Sequence, residues 1–356
     1  MAGMRELLEE MVTRGASDLH IAAGLPPQFR IDGSIVSTDL PALGGDETMR
    51  LAYSILNEEQ KKRFETKKEL DLSFGVQGIS RFRANVFMQR GVVSMAIRQI
   101  PYKINTFEEL GLPPVCRMLI QKNHGLVLVT GPTGSGKSTT LATMVDTINT
   151  SRKGHIITIE DPIEFVHQHK NCIVNQREVN SDTHSFPDAL KYVLRQDPDV
   201  ILIGEMRDRE TIAAALTIAE TGHLALATLH TNSTFESINR IIDVFPPEQQ
   251  NQVRSQLSFC LNGVITQQLL PKARGAGRVL ALEVMVCTPG IKAMIRDNKT
   301  HQIYGHMQAG QKHGMQTMNQ SLYQAVVNKW VTLDTALGRS PDMQELQQML
   351  GQPAMV

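Results

Sequence analysis

The segment Gly131-Pro132-Thr133-Gly134-Ser135-Gly136-Lys137-Ser138 has the glycine spacing and terminal Lys-Ser pair of a phosphate-binding loop. Glycines let backbone N–H groups curl around phosphate oxygens, Lys137 can reach a phosphate, and the Ser138 hydroxyl is of the kind that joins Mg²⁺. The whole loop, with Thr139 after it, is a candidate nucleotide contact. The flanking pattern agrees: 125–130 is an apolar run suited to a buried strand and 138–149 reads as a helix. ATP with Mg²⁺ is the expected ligand pair and hydrolysis the expected reaction.

Hydrolysis also needs carboxylates near the phosphates, and two apolar runs end in acids. Residues 200–203 lead into Gly204-Glu205, which puts Glu205 at the edge where ligands of open α/β sheets bind, placed to hold Mg²⁺ or its water. Residues 156–159 lead into Glu160-Asp161-Pro162-Ile163-Glu164. Either Glu160 or Glu164 could orient the attacking water or take its proton; a solvated turn with a helix-capping acid is the plainer alternative. His223 and His230 flank the run 224–228, where an imidazole can bond a phosphate or report it to a neighbouring element. Standing at opposite ends of one strand, they should differ in role. Arg81, Arg83, Arg90 and Arg98 form either a solvated cationic face or a source of charge neutralisation across a domain or subunit gap.

The elements that must position these residues fall into two patterns. The first hundred residues read as a small α+β unit: a helix carrying Leu7, Leu8, Met11 and Val12 and stopped by Gly15, strands at 19–21 and 28–31 closed by Asp32-Gly33, a polar helix at 46–65, and strands at 70–74, 80–89 and 92–100. In 80–87 the alternation puts Phe82, Ala84 and Val86 on one face and Arg81, Arg83 and Asn85 on the other. A linker is expected over 101–113, between a domain of 1–100 and a second of 114–356. Beyond it, apolar strands at 126–130, 156–159, 200–203 and 224–228 alternate with helices, the mark of a parallel sheet buried on both faces. From about Pro246 the chain reads as mostly helical, with a short strand pair near 278–285.

Composition narrows the partners. At 356 residues and 41% apolar, two domains are the prior. Thirty-six basic residues balance thirty-six acidic ones, so no global field exists to hold a nucleic acid. No apolar run approaches the length of a bilayer span, and a cytoplasmic protein is expected. The cysteines Cys116, Cys172, Cys260 and Cys287 have no CxxC spacing and read as buried thiols; His167 and His169 read as solvated loop residues, and no transition metal is expected.

Four ordered motifs together resemble the secretion-ATPase superfamily: the phosphate loop, Ile159-Glu160-Asp161-Pro162-Ile163-Glu164, Gly204-Glu205-Met206-Arg207-Asp208, and Thr221-Gly222-His223 with Leu229-His230-Thr231. The resemblance covers nearly the whole chain, from Gly15-Ala16-Ser17-Asp18-Leu19-His20 to Gly314-Met315-Gln316-Thr317-Met318. Within the superfamily the chain is similar to the type IV pilus retraction ATPases, although their signature segment is altered at Gly290-Ile291-Lys292-Ala293-Met294-Ile295-Arg296-Asp297. Extension and type II secretion ATPases usually carry an extra N-terminal domain and a tetracysteine zinc motif, and neither is expected here. The resemblance implies a hexameric ring of subunits, each with a PAS-like N-terminal domain and a RecA-like ATPase domain with a helical C-terminal region. It implies Glu164 as the catalytic glutamate with Glu160 in reserve, and Arg83 and Arg98 as arginines that approach the nucleotide. It further implies recruitment to the inner face of the cytoplasmic membrane through a platform protein, and a possible second retraction ATPase as co-worker.

Overall fold

A computed structural model describes residues 3–31, 33–100 and 103–351. The chain divides into two compact units, one of Met1–Lys103 with Pro162–Val166, the other of Ile104–Asp161 with His167–Val356. Asp32 of the expected turn and 101–102 of the expected linker lie outside the described residues.

In the first unit, α1 (Met4–Thr13) is followed by β1 (Asp18–Ile21), β2 (Gln28–Ile31) and β3 (Ser34–Ser37), then α2 (Gly45–Tyr53), α3 (Glu58–Lys67), β4 (Glu69–Val76), β5 (Ser80–Gln89) and β6 (Val92–Ile100). The strands form one antiparallel sheet in the order β3-β2-β1-β6-β5-β4. Its apolar face carries Leu19, Phe29, Phe82, Ala84, Val86 and Ile97 into a core shared with Leu7, Leu8 and Met11 of α1. Arg83 lies on the other face and is exposed. The single helix expected over 46–65 is two helices. Asn57 starts the second by accepting the Gln60 N–H at 2.8 Å while Gln60 Oε1 accepts the Asn57 N–H at 3.0 Å, a capping box that forces a new helix start. Strand β3 escaped the pattern reading because all four of its residues are exposed, so it has no buried alternation.

The second unit opens with α4 (Phe107–Leu110) and α5 (Pro114–Ile120). Then come β7 (Gly125–Thr130), α6 (Lys137–Ser151), β8 (His155–Glu160), β9 (Ile173–Glu178), α7 (Phe186–Val193), β10 (Val200–Ile203), α8 (Arg209–Glu220), β11 (Leu224–Leu229), α9 (Thr234–Asp243) and α10 (Pro247–Cys260). The chain continues through β12 (Leu261–Pro271), β13 (Arg278–Val286), α11 (Pro289–Arg296), α12 (Ile303–Gln308), α13 (Met318–Val327), α14 (Leu333–Leu337) and α15 (Met343–Met349). The sheet order is β13-β12-β7-β11-β10-β8-β9, parallel except for β13. Period-two side-chain direction splits β7 between two cores: Leu126 and Leu128 pack on one face of the sheet, Val127 and Val129 on the other. Every residue of β7, β10 and β11 is buried, as a strand covered on both faces requires.

Two features depart from the sequence reading. Instead of a short pair near 278–285, β12 is an eleven-residue strand alongside β7. It starts where α10 ends, and its buried run from Gly263 to Gln267 mixes apolar and polar residues without alternation, so periodicity alone does not mark it as a strand. Strand β9 is also new, an edge strand rich in polar residues. The four cysteines are free, three of them buried and Cys287 half-buried.

His167 is buried rather than solvated, its N–H donating to Gln176 Oε1 at 2.8 Å. His169 is exposed, and its Nδ1 accepts the Val174 N–H at 3.0 Å. Burial pushes the His167 imidazole from 6.5 down to about 4. The unfolded chain then binds the extra proton, so this contribution to stability is whole above the unfolded value and is lost as pH falls toward the folded one. Chemical denaturation of wild type and His167→Gln should show the wild type losing about 2 kcal/mol more between pH 7 and pH 5. Equal losses would assign the acid sensitivity elsewhere.

Candidate active site

Strand β7 delivers Gly131 to the carboxyl edge of the sheet, and Gly136 hands the chain to α6. Between them φ is 138° at Gly131, 77° at Gly134 and 89° at Gly136, the region glycine enters without steric cost. At Gly131 a Cβ would stand 2.3 Å from the Gln267 carbonyl oxygen of β12, so the neighbouring strand excludes any side chain. Pro132, Thr133 and Gly134 are exposed, Ser138 and Thr139 half-buried, and Ser135 and Lys137 buried. Lys137 Nζ donates to the carbonyls of Gly131 at 2.8 Å and Pro132 at 3.1 Å, which holds the ammonium over the loop.

The loop's underside is braced by β12, where Gln267 Nε2 donates to the Ser135 carbonyl at 2.7 Å. Among the described residues, Ser135 Oγ and Gln267 Oε1 are buried without a hydrogen-bond partner. A cradle with left-handed glycines, the N-terminus of a fifteen-residue helix, a lysine and an unsatisfied serine hydroxyl suits a phosphate group. Arg278 adds a cation at the rim, its Nη1 lying 3.5 Å from the Gly134 carbonyl.

The acids come from the next strands. Parallel register sets Ile203 of β10 beside Ile159 of β8, so Glu160 and Glu205 emerge at neighbouring strand ends. Gly204 makes the turn possible: a Cβ there would meet the Ile159 carbonyl oxygen at 3.1 Å and Glu160 Cα at 3.2 Å. Thr228 at the end of β11 ties the turn down, its hydroxyl donating to the Gly204 carbonyl at 2.5 Å and its own carbonyl accepting the Met206 N–H at 3.1 Å. Glu205 Oε1 then accepts Arg207 Nε at 2.5 Å and lies 3.2 Å from His230 Nε2. Burial pushes the Glu205 carboxyl upward, but the Arg207 hydrogen bond and the His230 and Arg207 charges outweigh it and hold it below its ordinary value. Glu160 Oε1 accepts the Thr158 hydroxyl at 2.6 Å and Gln176 Nε2 at 3.1 Å. A carboxylate held ionised and a half-buried serine hydroxyl at the same sheet edge are the donor types that suit Mg²⁺.

The structure therefore brings the loop, Lys137, Ser138, Glu160, Glu205 and His230 to one edge of one sheet. His223 is not among them. It directly precedes β11 at the opposite edge, about 20 Å away by strand rise, and its carbonyl accepts the Gly125 N–H at 3.0 Å. Glu164 is exposed in the Pro162–Val166 stretch that groups with the first unit. Arg83 and Arg98 also belong to that unit, directly opposite one another on β5 and β6. Arg98 Nε donates to Asp18 Oδ1 at 2.7 Å and keeps a largely exposed side chain. Arg207, Gln267 and Arg278 escaped the sequence reading. Arg207 stood inside a quoted motif, whereas Gln267 and Arg278 reach the loop only through the placement of β12 and β13.

Residues 2–276 match the model of the "Type II/IV secretion system protein" family. The chain belongs to that family. Among its relatives, the type IV pilus retraction ATPase PilT of Pseudomonas aeruginosa is 50% identical over 331 residues, 93% of this chain and 96% of that protein. The type IV pilus ATPase PilU of the same organism is 43% identical over 97% of this chain and 90% of its own, and a twitching motility protein of Neisseria gonorrhoeae is 44% identical over 90% and 86%. The crystal structure of the pilus retraction motor PilT with bound ADP superposes with a TM-score of 0.93 at 51% identity, covering 98% of this chain and all of that one. Within the family the fold is α/β, with a PAS-like N-terminal part followed by a RecA-like ATPase part and a helical C-terminal region.

Proposed function

We propose that this chain is the ATP-hydrolysing subunit of a hexameric ring that powers type IV pilus retraction, and hence twitching motility. The observation that carries the reading is the 50% identity, over 93% of the chain, to a pilus retraction ATPase, in a chain whose phosphate loop and Glu205–His230 pair share one sheet edge. Phosphate oxygens sit in the loop from Gly131 to Ser138 with Thr139, and Lys137 exchanges its two carbonyl partners for them. Ser138 and Glu205 hold Mg²⁺, which when bound offsets phosphate charge. Glu164 orients and deprotonates the attacking water, with Glu160 as the alternative. His230 reports the phosphate to Glu205, and Arg83 and Arg98 compensate charge that develops as the bond to the γ-phosphate breaks.

Hydrolysis changes the set of charges each subunit must balance, and motion around the ring acts on a platform protein in the inner membrane, so that pilins are withdrawn. The motor meets the bilayer through that partner from its cytoplasmic face; among the described residues no helix is long and apolar enough to cross a membrane. Equal numbers of acidic and basic residues favour a protein partner over nucleic acid. Deleting the gene should leave cells with surplus surface pili that do not twitch. Cells without pili would mean extension or secretion instead. The 43% identity to a second pilus ATPase favours one further reading, a motor that works beside another retraction ATPase, for which deletion would weaken retraction without abolishing it.

A further inference from the structure

Between the phosphate loop and His230 runs a chain of buried hydroxyls that hydrolysis itself does not call for. Thr130 is the last residue of β7 and directly precedes Gly131; Thr231 directly follows His230 beyond β11. Register sets Thr130 beside Leu229 on these adjacent strands. Above their ends sits Ser237, one turn into α9 and fully buried. Ser237 Oγ lies 2.6 Å from Thr231 Oγ1, 3.5 Å from Thr130 Oγ1, and donates to the Ser233 carbonyl at 2.8 Å. Thr130 Oγ1 is in turn 2.7 Å from Thr266 Oγ1 of β12, the residue before Gln267. Thr130, Thr266 and Ser237 are wholly buried and Thr231 nearly so, so no water can substitute for a lost partner without opening the core.

Ser237 has a single proton, given to the Ser233 carbonyl at 2.8 Å and shared weakly with Thr130 at 3.5 Å, and it pairs with Thr231 at 2.6 Å, where either hydroxyl can be the donor. Thr231 is thereby clamped to α9, and α9 is itself anchored by the buried Glu283, whose Oε1 accepts the Thr234 N–H at 2.7 Å. With Thr231 fixed, the backbone of His230 has little freedom, and its ring is held within 3.2 Å of the Glu205 carboxylate.

We propose that Ser237 is a positioning residue for ATP hydrolysis, its hydroxyl tying the end of β7 to Thr231 so that His230 stays registered against Glu205 while the phosphate loop is in place. The inference rests on the reading of His230 and Glu205 as parts of the hydrolytic site. Ser237 is fully buried and acts through its neighbours, so its removal should alter turnover and leave nucleotide binding alone.

The test is steady-state ATP hydrolysis by the full-length ring, with binding of a fluorescent ATP analogue and thermal melting measured on the same preparations. Ser237→Ala should lower kcat about tenfold with KM within about twofold, the size of one buried hydrogen bond that matters only in the transition state. Thr231→Val, which keeps shape and loses the hydroxyl, should do the same, whereas Thr231→Ser should restore turnover. Because the route passes through His230, Ser237→Ala should cost nothing further in a His230→Ala background. Wild-type kcat in Ser237→Ala beside an impaired His230→Ala would overturn the proposal and leave the site reading standing, as would losses that multiply in the double variant. Wild-type kcat in His230→Ala would instead sink the site reading for that histidine, and the positioning role with it. Should Ser237→Ala fail to fold, the Val and Ser variants at Thr231 decide alone: equal turnover in the two overturns the proposal.

Discussion

Lys137→Ala should lower kcat for ATP hydrolysis by about a thousandfold or more, equivalent to about 4 kcal/mol of lost transition-state stabilisation. Lys137 is buried where the loop closes, and its ammonium already faces two carbonyl oxygens at 2.8 and 3.1 Å. Those carbonyls satisfy the buried ammonium before any anion arrives, and phosphate oxygens take their place when nucleotide binds, so the full charge is spent on the phosphates. Alanine removes that charge and leaves the helix N-terminus and the loop N–H groups as the remaining attraction, so binding should weaken far less than turnover. Phosphate release measured beside nucleotide binding reads both effects. Turnover within tenfold of wild type would place hydrolysis at some other site.

Much of this site was legible because its signals are local. The phosphate loop, the strand before it and the helix after it lie within 125–151, and the need for φ > 0 at Gly131, Gly134 and Gly136 follows from what the loop must do. Glu205 and His230 were legible because parallel strands buried on both faces read as apolar runs whose carboxyl ends share one edge. What stayed hidden depends on contacts distant in sequence. Gln267 and Thr266 reach the loop only because β12 inserts beside β7, and the sequence of β12 shows no alternation that would mark it as a strand. His167 looked polar by its neighbours, yet the fold buries it; composition reports what surrounds a residue in sequence, whereas burial depends on what packs over it. His223 shows the converse: it shares a motif with His230, but one strand's length keeps it from the site edge.

Glu205→Gln should lower kcat by about two to three orders of magnitude while changing nucleotide affinity only a few-fold. The amide keeps the shape of the side chain and removes the charge that a bound Mg²⁺ would need. It also breaks the balance around Oε1, where Arg207 Nε donates at 2.5 Å and His230 Nε2 lies at 3.2 Å. Those two neighbours hold the carboxyl below its ordinary value against the upward push of burial. A depressed carboxyl stays ionised as pH falls, so its contribution is present above the unfolded value and is lost only as pH drops through the lower folded one. Any acid limb of the pH–kcat profile that belongs to Glu205 should therefore lie below the usual carboxylate range. Arg207→Ala, which removes the guanidinium that bonds the carboxylate, should move that limb to higher pH without abolishing turnover. If the limb stays where it was, the Arg207 pair is a surface contact of no consequence for the acid, and Glu205 owes its ionisation to His230 alone.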